Sequence, residues 1–69
     1  MKEIVLKYGF LYNRRGCSCA GSPFIYKRDG YEITIYEHRK LWRMTKANTT
    51  IAKGTDKDLE LKLKEIWDL

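Results

Sequence analysis

Across residues 24–52 apolar and polar side chains alternate, and the alternation keeps its phase through three successive turns. Successive side chains on a strand point to opposite faces, so a slip of one residue at any turn would carry the apolar set to the wrong face. Asp29-Gly30 is the strongest turn signal, because a two-residue type I′ turn needs positive φ at both positions. It pairs Tyr26 with Ile33, Phe24 with Ile35 and Lys27 with Glu32. A second turn at Arg39-Lys40 pairs Ile35 with Met44 and Glu37 with Trp42, and sets Tyr36 beside Arg43 on the other face. A four-residue loop there would leave the phase unchanged. A third turn, at Ala47-Asn48, pairs Met44 with Ile51 and Thr45 with Thr50. The predicted strands are residues 24–28, 31–38, 41–46 and 49–53.

The period then changes. Thr55 can cap a helix, with Asp58 three residues on as the partner of a capping box, and Asp56 and Asp58 suit the positive helix N-terminus. Leu59, Leu63, Ile66 and Trp67 recur at helical spacing, which predicts a helix over residues 56–67. Its stripe should cover the sheet face made by Phe24, Tyr26, Ile33, Ile35, Trp42, Met44 and Ile51, with Leu61 off the stripe. At the other end Ile4, Leu6 and Tyr8 alternate with Val5 and Lys7, which reads as a strand over residues 3–8 with Gly9 as a bulge. Residues 13–23, with their small residues, two glycines and a proline, read as a long loop. The expected fold is α+β in a single domain, residues 1–69: one antiparallel sheet of four to five strands, a three-hairpin meander, with one C-terminal helix packed across one face. The first strand would pair at a sheet edge, or form a dimer seam through Ile4, Val5 and Leu6.

A chain of 69 residues buries only about 60% of its unfolded surface. One sheet and a helix fit, a deep cleft between lobes does not, and a homodimer would be a natural supplement. At 43% hydrophobic and 13% aromatic the chain has the means to form a core and is not a disordered tail. No stretch reaches the roughly 18 apolar residues of a membrane span, and the apolar run at residues 4–6 is too short for a signal peptide. These features point to a cytoplasmic protein with reduced thiols and no membrane partner.

The net charge of +5 is uneven. Residues 1–55 carry eleven Lys and Arg against four Asp and Glu, hence +7, and residues 56–69 carry three against five, hence −2. The sheet is therefore the basic part, and its field would attract nucleic acid or an acidic protein. The uncovered sheet face should show Ile25, Lys27, Glu32, Thr34, Tyr36, Arg43, Thr45 and Thr50, with Arg39, Lys40 and Lys46 near its turns. Tyr, Arg and Thr on a sheet can stack bases, meet base edges or hold phosphates. The same residues would also make an ordinary solvated face with a Tyr36–Arg43 cation–π contact. Arg14 and Arg15, opening a glycine-containing loop, could clamp a phosphate or carboxylate. The nucleic-acid-binding set is therefore Arg14, Arg15, Lys27, Tyr36, Arg39, Lys40, Arg43 and Lys46.

Three strands followed by a helix over residues 31–67, with a basic sheet, resemble in element order the arm-type DNA-binding domains of phage integrases and the plant AP2 domains. The resemblance implies a sheet that enters a DNA major groove; it rests on no motif matched residue by residue and leaves out residues 1–30.

No catalytic motif is present. Neither G-x-x-x-x-G-K-[ST] nor G-x-G-x-x-G occurs. Cys17, Cys19 and His38 are three soft metal ligands where structural zinc takes four, and Cys-x-Cys is tighter than the usual spacing. No metal or cofactor is expected unless a dimer supplies the cysteines twice. The first functional expectation is a small basic, non-enzymatic nucleic-acid-binding accessory protein of phage or mobile-element type. The alternative is a protein-interaction module or small inhibitor that uses the exposed sheet face or the N-terminal edge strand. A domain stabilised by metal through Cys17 and Cys19 comes third.

Overall fold

A computed structural model describes residues 1–17 and 21–67. Its elements in chain order are α1 (Lys2–Lys7), β1 (Leu11–Arg15), β2 (Phe24–Arg28), β3 (Tyr31–Tyr36), β4 (Leu41–Lys46), β5 (Thr49–Thr55) and α2 (Leu59–Ile66). The five strands form one antiparallel sheet in sequence order, and α2 lies across one face of it, as the alternation implies.

Two tight turns form as the sequence reading expects. Asp29 and Gly30 have φ of 50° and 83°, and Ala47 and Asn48 have φ of 51° and 63°. The first delivers the expected pairs Phe24↔Ile35, Tyr26↔Ile33 and Lys27↔Glu32. The middle connection is the four-residue loop 37–40, so Ile35 pairs with Trp42 and Ile33 with Met44 rather than Ile35 with Met44. The shift is two residues, so every side chain keeps its face.

Two sequence expectations are overturned. Residues 2–7 form a helix, not a strand over residues 3–8. A run of three apolar residues fits either period, and burial shows which period holds. Val5 and Tyr8 are buried and Met1 and Ile4 pack against the core, a spacing of one helix face, while Leu6 is half exposed. Gly9 is not a bulge but the residue that ends the helix, at φ 86°. Its N–H donates to Leu6 and that of Phe10 to Val5, a Schellman ending in which Phe10 and Val5 both enter the core. The strand that was to form a dimer seam through Ile4, Val5 and Leu6 is absent, and Val5 lies wholly within the protein's own core.

The second correction lies in β5. Thr45 pairs with Thr50 as expected, but Met44 pairs with Ala52, so a bulge intervenes and Ile51 is the extra residue. Ile51 is 46% exposed instead of buried, and Ala52 takes its place against the core. The strand also runs on to Thr55.

The core joins Tyr26, Ile33, Ile35, Trp42 and Met44 from the sheet to Val5, Tyr8 and Phe10 at the N-terminus and Leu59 and Leu63 of α2. Both helices therefore share one face, and the Lys7 ammonium meets the Glu60 carboxylate at 3.0 Å between them. Trp67 closes this layer with edge-on contacts to Phe10 and Tyr31, at 5.2 and 4.9 Å between centroids. Ile66, expected in the stripe, is 38% exposed. Thr55 and Asp58 do meet, Asp58 accepting from the N–H and hydroxyl of Thr55 at 3.2 and 3.1 Å, but Thr55 is not the cap: the N-cap position is Asp58, with no side-chain cap hydrogen bond. Regular helix begins three residues later than residue 56, at Leu59.

Candidate functional site

With both helices on one face, the other face of the sheet is open. Cross-strand pairing sets one row straight across it: Arg14, Ile25, Thr34, Arg43 and Lys53. A second row runs Tyr36, Leu41, Thr55, and a third contains Leu11, Lys27, Glu32, Thr45 and Thr50. Ile25 was expected to be exposed here. It is on this face but only 7% exposed, enclosed in the row between Arg14 and Thr34.

The second row and the Arg43–Lys53 end of the first adjoin a surface depression of about 510 Å³ near the β3–β4 loop. Tyr36 and Leu41 supply its aromatic and apolar lining, Trp42, Gly54 and Thr55 complete its wall, and Arg39, Arg43 and Lys53 bring positive charge. Arg43 Nη2 donates to the Tyr36 hydroxyl at 3.1 Å, where the sequence suggested a cation–π contact. That bond fixes the half-buried phenol relative to a guanidinium that remains exposed. Among the described residues Arg39, Arg43 and Lys53 make no salt bridge.

The expected site residues divide into two groups. Arg14, Lys27, Tyr36 and Arg43 point to the open face, and Arg39 and Lys40 sit in the loop at its end. Arg14 is engaged there by Glu32 at 3.1 Å. Arg15 and Lys46 turn to the helix side. The Arg15 guanidinium donates twice to the Ser22 carbonyl, at 3.1 and 2.9 Å, and lies 4.2 Å from the Phe24 ring centroid. The Lys46 ammonium lies 4.4 Å from the Tyr31 centroid. Arg14 and Arg15 therefore form no common clamp. They are successive residues of β1, not loop residues, and a strand sends neighbours to opposite faces.

Arg15 has a structural task instead. With the Gly16 N–H donating to Pro23 at 2.7 Å and Ser22 to Cys17 at 3.2 Å, it holds the two ends of the loop together. Cys17 is disulfide-bonded and is not the reduced thiol expected of a cytoplasmic chain. Cys19 lies outside the described residues. His38 is exposed in the β3–β4 loop, and no group of three His, Cys, Asp or Glu among the described residues could hold a metal ion.

The sequence reading missed Lys53, Leu41 and Gly54. Unbroken alternation after the third turn puts Lys53 on the core face with Trp42. The bulge at Ile51 reverses that, so Lys53 pairs with Arg43 on the open face and Gly54 with Trp42 on the other. The signal was present in Gly54, because a glycine near a strand end marks a bulge or close backbone approach. Among the described residues no helix is long and apolar enough to cross a membrane. No family model, curated protein or solved structure matches the chain.

Proposed function

We propose that this protein binds nucleic acid through the open face of its sheet and acts by binding, without catalysing a reaction. The observation that carries the reading is the depression where Tyr36 and Leu41 stand beside Arg39, Arg43 and Lys53. Cations with no salt bridge among the described residues, next to an aromatic ring that one of them hydrogen-bonds, suit a ligand that is anionic and planar in alternation. Nucleic acid is such a ligand. Arg14, Lys27 and Lys40 lie along the same face or at its end and would extend the contact to neighbouring phosphates.

The test is binding of a fluorescent oligonucleotide as a function of salt. Each phosphate contact contributes about −0.7 to the slope of log K against log salt for a single strand and about −0.9 for a duplex. Replacing Arg43 and Lys53 together by alanine should weaken binding and flatten the slope by roughly 1.4 or more. An unchanged slope would sink the assignment of this face.

A second reading rests on a different observation. All five residues of β1 are exposed, and its outer edge pairs with no strand among the described residues. An extended acidic peptide could add there as a sixth strand, with main-chain bonds for affinity and Arg14 for charge. Such binding would survive the Arg43 and Lys53 changes.

A further inference from the structure

The depression also bears on which form of nucleic acid fits. We infer that it is a single-nucleotide subsite for an unpaired strand, in which one splayed base stacks on Tyr36 and packs on Leu41 while its phosphates lie against Arg43 and Lys53. The inference rests on the nucleic-acid reading above and narrows it.

Three observations carry it. First, the feature is concave, about 510 Å³, within the range of sites that enclose a small ligand. A duplex keeps its bases stacked and paired inside; a protein element that reads it protrudes into a groove. A concave site on a sheet can receive a base only if that base has left the stack.

Second, apolar and cationic groups are adjacent, not mixed at random. Tyr36 and Leu41 are direct cross-strand partners, and so are Arg43 and Lys53, with Arg43 and Leu41 two residues apart on the same strand face. Two residues along an antiparallel strand span about 6.8 Å, so the two cations sit one step along the strands from the aromatic patch, within the span of a base and its own phosphate. Duplex binding through the backbone alone would use the cations and leave Tyr36 and the 40%-exposed Leu41 without a role.

Third, Tyr36 is held in advance. The 3.1 Å bond from Arg43 to its hydroxyl fixes the ring before a ligand arrives, which lowers the entropy cost of stacking on it. Stacking on a fixed aromatic face is tolerant of base identity, since every base has a π-face. The subsite should therefore discriminate strandedness strongly and sequence weakly.

The experiment measures fluorescence anisotropy of a labelled oligodeoxythymidine and of a labelled mixed-sequence duplex of equal length, at low and moderate salt. The variants are Tyr36→Ala, Tyr36→Phe and the Arg43→Ala/Lys53→Ala pair, each checked for its fold by circular dichroism. The expected result is tighter binding of the single strand, a loss of roughly 5- to 150-fold for Tyr36→Ala on that strand, and a clearly smaller loss for Tyr36→Phe, which keeps the ring but gives up the hydroxyl bond that orients it. Duplex binding should respond to the Arg43 and Lys53 pair and not to Tyr36→Ala. A duplex bound as tightly as the single strand overturns the inference and leaves the nucleic-acid reading standing. So does a single strand that loses equally with Tyr36→Ala and Tyr36→Phe, since the hydroxyl and not the ring would then matter, or one that loses with neither. Failure of both oligonucleotides to bind at low salt overturns the inference together with the reading beneath it.

Discussion

Arg43 stands directly across the β4–β5 ladder from Lys53, two like charges paired on an exposed sheet face. Like charges in this position destabilise an antiparallel pair, and opposite charges stabilise it by about 0.2–1 kcal/mol. The arrangement thus costs the fold something, and an anion between the two would relieve it. It follows that Lys53→Glu should raise stability in denaturant by a few tenths to about 1 kcal/mol while reducing oligonucleotide affinity. Equilibrium urea unfolding and anisotropy on the same preparation check both signs. A variant that loses stability and affinity together would mean that Lys53 acts through the fold.

Where β5 turns into α2, three side chains meet around one glycine. Trp42 Nε1 donates to the Thr55 carbonyl at 2.7 Å, and Asp58 accepts from Thr55. A Cβ on Gly54 would stand 3.1 Å from Asp58 Cβ and Oδ2 and 3.3 Å from Trp42 Cζ2. Two of these neighbours are held by hydrogen bonds and cannot yield freely. Gly54→Ala should therefore cost about 1–3 kcal/mol by overpacking, at about 4–8 °C of Tm per kcal/mol for a domain of this size. Thermal unfolding followed by circular dichroism measures it. Gly54→Val should be worse than Gly54→Ala.

The two tight hairpins share a backbone shape but not a chemistry. Asp29-Gly30 suits positive φ, whereas Ala47 holds φ 51° with a plain methyl group. A left-handed conformation costs an L-residue roughly 1–2 kcal/mol, a cost that Asn largely escapes by local hydrogen bonding. Ala47→Asn should stabilise the protein by about 1 kcal/mol, and Gly30→Ala should destabilise it by a similar amount. Urea midpoints at constant slope decide both. The Ala47 position is exposed and far from the depression, so affinity for the oligonucleotide should not change.

Alkaline pH should loosen the fold through two groups. Burial, aided by the Glu37 charge, pushes the Tyr26 phenol above its ordinary value of 10.0. The hydrogen bond to Glu60 and its charge hold the Lys7 ammonium above 10.5. In both cases the folded protein keeps its proton longer than the unfolded chain. The stabilisation is whole below the unfolded values and is lost as pH rises through the folded ones. Urea midpoints should accordingly fall from about pH 9 to about pH 11. Tyr26→Phe cannot ionise at this position and should make the fall shallower; Glu60→Gln should remove the part due to Lys7. An equally steep fall in Tyr26→Phe would show that Tyr26 does not contribute.

Most of the sheet was legible along the chain because its rules are local. A dipeptide that favours positive φ sets a turn, and a turn sets the phase of everything paired beyond it. Tyr26, Ile33, Ile35, Trp42 and Met44 reach the core on that logic alone. So do Leu59 and Leu63, from helical spacing. Half of the site followed, since Tyr36 and Arg43 must face away once Ile35 and Trp42 face in.

What needed the folded structure was each choice between two local answers of nearly equal merit. Ile4, Val5 and Leu6 fit a strand or a helix, and the helix won because it buries Val5 and Tyr8 together and lets Gly9 bring Phe10 into the same core. Ile51 or Ala52 could have faced inward. A bulge selected Ala52, so that Gly54 could lie under Trp42 and beside Asp58. Arg14 and Arg15 looked alike until β1 took up residues 13–15 and sent one to each face. The sequence by itself determined the meander and the helix after it. Tertiary packing alone decided the N-terminal helix, the bulge, and through the bulge the placing of Lys53 beside Arg43. The physical reason is one of range: phase is inherited from neighbour to neighbour, whereas a bulge or a short helix is chosen by contacts with side chains distant in the chain.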